Sequence, residues 1–168
     1  MELPDTQSNL PEVRINLTRV GVKNVQKLVE VARPGKRPVI FISRFNVYVD
    51  LPSSLKGANL SRNFEVIDEV LQRATEGKVN GIEEVCNAVA RKLLDHHEYA
   101  DRTEVHMKSL YMVKRETPVS KTECHEVVEV HASAVADRNN GHPIVRRMIG
   151  AEVTGITACP CAQNIMKE

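Results

Sequence analysis

The chain has 168 residues, 23 Lys+Arg against 22 Asp+Glu, a formal net charge of +1, and 42% hydrophobic and 27% charged residues. That length suits one domain with a sizeable core, and the near-neutral balance leaves no electrostatic surplus with which to hold a nucleic-acid backbone or an anionic membrane surface. Aromatics are only 4% with no Trp, so a stacking platform for single-stranded nucleic acid has little to be built from.

The first nine residues carry no basic-then-apolar leader pattern, and no apolar run approaches the roughly 18–20 residues that cross a bilayer. The expectation is a cytoplasmic protein with neither nucleic acid nor membrane as partner. After Pro11, Val13, Ile15 and Leu17 alternate with polar residues, predicting a strand from near Glu12 that runs to Val31 and bends at Gly21 or Asn24. Arg33 to Pro38 reads as a turn. Val39 to Asp50 is dense in β-branched and aromatic residues and predicts a second long strand, ended by Pro52 and Gly57.

Ser61 is a candidate N-cap, and Phe64, Ile67, Val70, Leu71 and Ala74 recur at helical spacing, predicting a helix over 62–75. Ile82, Val85, Val89 and Leu93 predict a second helix that runs to about His97, with Glu83, Glu84, Arg91, Lys92 and Asp95 on its polar side. Alternation returns in Thr103–Val113 and Val119–Ala136, and Asn139-Asn140-Gly141 then signals a tight hairpin into a fifth strand over Ile144–Thr157. Two helices inserted into an antiparallel sheet, without βαβ alternation, indicate an α+β fold.

The densest chemical signal is Gly155-Ile156-Thr157-Ala158-Cys159-Pro160-Cys161, two thiols two residues apart just beyond a strand. A thiolate is both nucleophile and metal ligand, and Pro160 restricts the backbone between the two sulfurs. A pair of structural thiols is the competing reading, and the spacing is not the CxxC of a zinc ribbon or a redox site. A metal there needs further ligands, for which His125, Glu126, Glu129 and His131 are candidates; Glu129 and His131 share a strand face. The competing reading of these four is a solvated face. His96 and His97 read as complementing the helix dipole or facing water. Cys86 reads as a small core residue, and Cys124 is undecided. Arg44, Asn46 and Tyr48 share a strand face. The loop from Asp50 to Gly57, rich in hydroxyls with a Lys, reads either as an anion cradle ahead of a helix N-terminus or as a plain connection.

Three segments together carry a resemblance. Ser43-Arg44-Phe45-Asn46 leading into Val49-Asp50-Leu51-Pro52, then Lys56-Gly57-Ala58-Asn59-Leu60-Ser61-Arg62, and the terminal Cys159-Pro160-Cys161 resemble the GTP cyclohydrolase family of type IB. The resemblance is closest to its archaeal branch, which opens methanopterin synthesis. It spans nearly the whole chain, including Arg115 and Pro118-Val119-Ser120.

The resemblance implies a tunnelling fold, an antiparallel sheet with two helices on one face, assembled into an oligomeric barrel as a homo-oligomer, dimer or tetramer. It implies GTP as substrate and a divalent metal, Fe(II) in the archaeal branch with Zn or Mn as alternatives, that activates water for attack on C8 of the guanine. Ring opening then releases formate and gives a 7,8-dihydroneopterin 2',3'-cyclic phosphate. The first cysteine of the family's CPC motif is the metal ligand and falls on Cys159, which is placed ahead of Cys161 as the catalytic and metal-binding residue. The family usually reads KGxHMSR where Ala58-Asn59-Leu60 stands before Ser61-Arg62, so the role of that histidine is absent here. Family members continue past the CPC motif into a second tunnelling unit that supplies His and Glu ligands, so residues 1–168 are expected to be the N-terminal unit of a longer chain. A non-catalytic purine- or pterin-binding module of the same fold is the alternative.

Overall fold

The computed structural model describes residues 9–33, 35–73, 81–117, 119–139, 142–155, 157 and 166. Strands β1 (Leu17–Arg33), β2 (Lys36–Leu51), β3 (Arg102–Glu116), β4 (Glu123–Asp137) and β5 (Ile144–Glu152) form one antiparallel sheet in the order β1-β2-β3-β4-β5. Helices α1 (Ser61–Arg73) and α2 (Ile82–His96) fill the connection from β2 to β3, so the α+β expectation holds.

The two periodicities meet on one face. From Phe41 to Leu51 every odd residue of β2 is buried while the even ones are exposed or half-buried, the signature of a strand covered on one side. Phe45, Val47, Val105, Met107, Ala132 and Ala134 from the sheet pack against Val66, Ile67, Val85, Cys86, Val89 and Leu93 from the helices in one cluster. α2 lies over β3, β4 and β5, and α1 reaches β1. Each fully buried aliphatic or aromatic side chain there contributes about 1.5–3 kcal/mol by leaving water, which is why the covered face needs almost uninterrupted apolar residues. Among the buried polar residues of the sheet, Thr103 donates to the Ala90 carbonyl at 2.8 Å and Ser109 to Ser43 at 2.7 Å.

β1 bends where its register with β2 shifts between Val22 and Val25. Asn24 takes φ 57°, and its N–H donates to Asn46 Oδ1 at 2.9 Å, which makes it the bulge residue. Gly21 serves a different need: a Cβ there would lie 1.8 Å from the Val47 carbonyl oxygen, so the two backbones approach too closely for any side chain.

Several boundaries differ from the sequence expectation. β1 begins at Leu17 and not near Glu12, because the segment before it has no strand beside it. That segment runs along the β2–α1 loop, where Asn16 Oδ1 accepts the Ser53 N–H at 2.7 Å and the Asn9 carbonyl accepts the Lys56 N–H at 3.0 Å. β4 begins at Glu123, leaving Val119 exposed, and β5 ends at Glu152. In α1, Phe64 is 43% exposed and the buried place on that turn belongs to Asn63. Ala74 and the Asn140-Gly141 part of the predicted hairpin lie outside the described residues. No helix among the described residues is long and apolar enough to cross a membrane.

Candidate functional site: the open face of the sheet

The face away from the helices is built of cross-strand rows. Tyr48, Glu104 and Arg146 belong to one row, and Asn46, His106, Ser133 and Met148 to the next. Gln26, Arg44, Lys108, His131 and Gly150 form a third. Beyond it the face turns aliphatic, with Leu28, Ile40, Ile42, Leu110, Met112 and Val127 all exposed.

The polar end is closed by ion pairs. Glu104, nearly buried, receives Arg19 at 2.7 Å and Arg102 at 3.0 Å, and Arg102 and Arg146 both hold Asp137, at 2.7 and 2.8 Å. Burial alone would raise the Glu104 pKa, but the two guanidinium hydrogen bonds outweigh it and hold the carboxyl below its usual range. The Arg19 guanidinium lies 5.8 Å from the Tyr48 ring centre, and the His106 ring meets Tyr48 edge-on at 6.2 Å. The Asp50 carboxylate accepts the N–H groups of Asp101 and Arg102 at 3.0 and 2.9 Å, tying the end of β2 to the start of β3.

In the middle row Lys108 donates to Glu129 at 2.7 Å. That bond lowers the Glu129 pKa and raises that of Lys108. The His131 ring crosses toward β5 into space that Gly150 leaves open, since a Cβ at Gly150 would stand 2.3 Å from His131 Nε2. A groove of about 740 Å³ runs from this row over the aliphatic end and is lined by Arg33, Ile40, Ile42, Arg44, Lys108 and Leu110, among others.

The four ligand candidates on β4 are not gathered. Glu129 is taken by Lys108 and not by His131, Glu126 pairs with Arg115 at 3.0 Å, and His125 stands opposite Lys114. Cys159 and Cys161 lie outside the described residues. Among the described residues no group of three or more His, Cys, Asp or Glu could hold a metal. Cys86 is buried and its thiol is pushed up to about 12, chiefly by desolvation, so it is an inert core thiol; Cys124 is half-buried and free.

The loop after β2 is not an open anion cradle. The N–H groups of Ser53, Leu55 and Lys56 are bound to Asn16 Oδ1, the Pro52 carbonyl and the Asn9 carbonyl. Arg62 donates to the His96 carbonyl at 2.8 Å, while Arg138 donates to the carbonyls of Leu94 at 2.6 Å, His97 at 3.3 Å and Ala100 at 2.9 Å. Two guanidinium groups thus satisfy the carbonyls around the negative end of α2.

His97 corrects the surface reading made from sequence: it is fully buried. Its Nε2 stands 2.9 Å from Asn63 Oδ1 and its Nδ1 2.9 Å from the Tyr99 hydroxyl. An amide oxygen only accepts, so Nε2 carries the proton and Nδ1 accepts from Tyr99. Desolvation, with Arg62 and His96 nearby, lowers its pKa to about 4. Asn63 Nδ2 has no hydrogen-bond partner among the described residues. The sequence signal was present, because 97 continues the helical spacing of Ala90, Leu93 and Leu94. Glu104 and His106 had no such signal: alternation places both toward solvent, and only the fold brings Arg19 over Glu104.

Residues 3–168 match the family described as type I GTP cyclohydrolase folE2, and the chain belongs to that family. Among relatives, it is 80% identical over 168 residues to GTP cyclohydrolase MptA of Methanoculleus marisnigri, which covers all of this chain and 54% of that protein. Identity to GTP cyclohydrolase MptA of Methanocorpusculum labreanum is 76% over 169 residues, again all of this chain and 54% of the relative. The chain spans about half the length of the curated relatives it matches. A crystal structure of a uricase from Bacillus fastidious shares the fold at a TM-score of 0.50 and 13% identity, over 80% of this chain and 51% of that one.

Proposed function

We propose that this chain is the N-terminal tunnelling-fold unit of a GTP cyclohydrolase that opens the imidazole ring of GTP by hydrolysis, releases formate and yields 7,8-dihydroneopterin 2',3'-cyclic phosphate for methanopterin synthesis. The observation that carries this reading is the 74–80% identity, across essentially the whole chain, to four relatives that each bear the name GTP cyclohydrolase MptA. The described residues do not by themselves make a metal centre. Cys159 is proposed as one ligand of a divalent ion, Fe(II) ahead of Zn or Mn, with its other ligands outside the described residues.

The sheet supports an oligomer, a dimer or tetramer. β1 and β5 are both edges, each with one neighbour, and 17 residues of β1 leave a long row of backbone groups for pairing with another sheet. The test is anaerobic GTP turnover with added Fe(II), followed by formate release, on this chain and on one carried to the length of its relatives. Formate is expected from the longer chain and its loss in Cys159→Ala. Full activity in Cys159→Ala overturns the ligand assignment. Purine binding without formate in both lengths points instead to a non-catalytic binding module.

A further inference from the structure

β4 is longer than the strand on its outer side. β3 pairs with it from Glu123 to Asp137, whereas β5 follows it only from Asp137 back to Glu129, opposite Glu152. From Glu123 to Val128 the outer edge of β4 therefore has no strand beside it among the described residues. Such an edge, with its free backbone N–H and C=O groups, is a template for a further strand. The chain that leaves β5 has the composition to fill it. Val153, Thr154, Ile156 and Thr157 are β-branched, the type that fits a pleated surface. Val153 is nevertheless 64% exposed, and Val127 on the open edge 60%.

Continuing the register past Glu129 and Glu152 sets Val153 opposite Val128, Thr154 opposite Val127, Ile156 opposite His125 and Thr157 opposite Cys124. Side chains alternate across a sheet, so Val153 falls on the face of Ala151 and Val128, and Ile156 on that of Val127. Gly155 comes opposite Glu126, which Arg115 holds at 3.0 Å, and has no side chain to crowd that pair. We propose that β5 has a second, longer form in which residues 153–157 dock along β4 from Val128 to Cys124, with Gly155 keeping the two forms close in free energy. A glycine gives up more backbone freedom than alanine on joining a strand, which disfavours the longer form by about two- to fivefold. Docking carries the chain to the start of β4 before it continues toward Cys159; the shorter form releases it near the middle of that strand. As a control on where Cys159 is delivered, the inference rests on the cyclohydrolase reading; the docking itself does not.

The test is disulfide trapping in the full chain carrying Cys159→Ala and Cys161→Ala, which removes competing thiols; Cys86 is buried and Cys124 is free. Directly opposed strand residues stand about 4.5–5.5 Å apart at Cα, within the span a disulfide bridges. Under mild oxidation, the thiol introduced by Thr157→Cys is expected to join Cys124 of the same chain at least about tenfold faster than those of Ile156→Cys or Ala158→Cys, which fall on the opposite face. Adding Gly155→Ala should raise the Thr157→Cys rate about two- to fivefold. Equal rates at the three positions, or no cross-link at Thr157→Cys with or without Gly155→Ala, overturn the docking. A cross-link that joins two chains assigns the open edge to a second copy and overturns it as well. GTP turnover is read at no step, so failure of the cyclohydrolase reading leaves the trapping result standing, and failure of the trapping leaves that reading untouched.

Discussion

The two faces of the sheet draw on the same five strands, yet they are held by different physics. Beneath the helices, Phe45, Val47 and Met107 sit in a continuous apolar contact where each lost methylene leaves a void. On the open face their sequence neighbours Arg44, Asn46 and Lys108 are exposed or half-buried and are held by polar contacts, Asn46 accepting the Asn24 N–H and Lys108 pairing with Glu129. The covered face therefore sets stability, and the open face is free to carry polar and charged side chains such as Arg44 and the Lys108–Glu129 pair. Adjacent positions of one strand belong to opposite regimes because side chains alternate across a sheet.

Truncation gives the largest contrast. Phe45→Ala should cost about 3–5 kcal/mol in urea unfolding, since Phe45 is among the largest fully buried side chains. A cost near zero would mean that the helices do not pack on this face in solution.

Acid is the next probe. His97 has a pKa lowered to about 4, so between that value and the ordinary 6.5 the unfolded chain binds a proton that the folded one refuses. Stability is then fully present above about pH 6.5 and falls as the pH drops toward 4, by on the order of 2–3 kcal/mol. Glu104 and Glu129 are shifted in the carboxylate range, so their losses come at lower pH. His97→Gln should flatten the slope between pH 6.5 and 4, and an unchanged slope would show that His97 is not the group titrating.

A smaller effect attaches to the helix end. Arg138→Ala strips hydrogen bonds from three carbonyls around the end of α2 and should cost about 1–3 kcal/mol, read as a shift in melting temperature. No shift would mean that water replaces the guanidinium without loss. The smallest effect belongs to the open face. Ile42, 74% exposed, should accept serine within about 0.5 kcal/mol, and a loss comparable with Phe45→Ala would show that something covers this face in solution.

Much of the architecture was legible in the residues. The Val39–Asp50 alternation became β2, the spacing from Ile82 to Leu93 became α2, and Asn24 is one of the two bend points named from sequence. Boundaries failed where alternation had no partner: Val13 and Ile15 look like a strand but lie beside a loop. The site was less legible. The Arg44, Asn46 and Tyr48 face was readable within one strand, whereas the paired role of Glu129 changed because Lys108, twenty-one residues away in sequence, reaches it first. His97 was misplaced although its spacing pointed inward, because a polar residue at a helix end is judged by type before position.

What the sequence determined by itself is whatever depends on short separations: the two helices, the long strands, the α+β order and the motifs that place the chain in its family. Periodicity and turn chemistry act over a few residues, so they survive without knowledge of partners. The tertiary structure alone decided which face the helices cover, which cations stand opposite one another, and that two arginines close the end of α2. Those facts depend on strand register and on contacts between segments tens of residues apart, and a one-residue slip in register would reverse every one of the facing assignments.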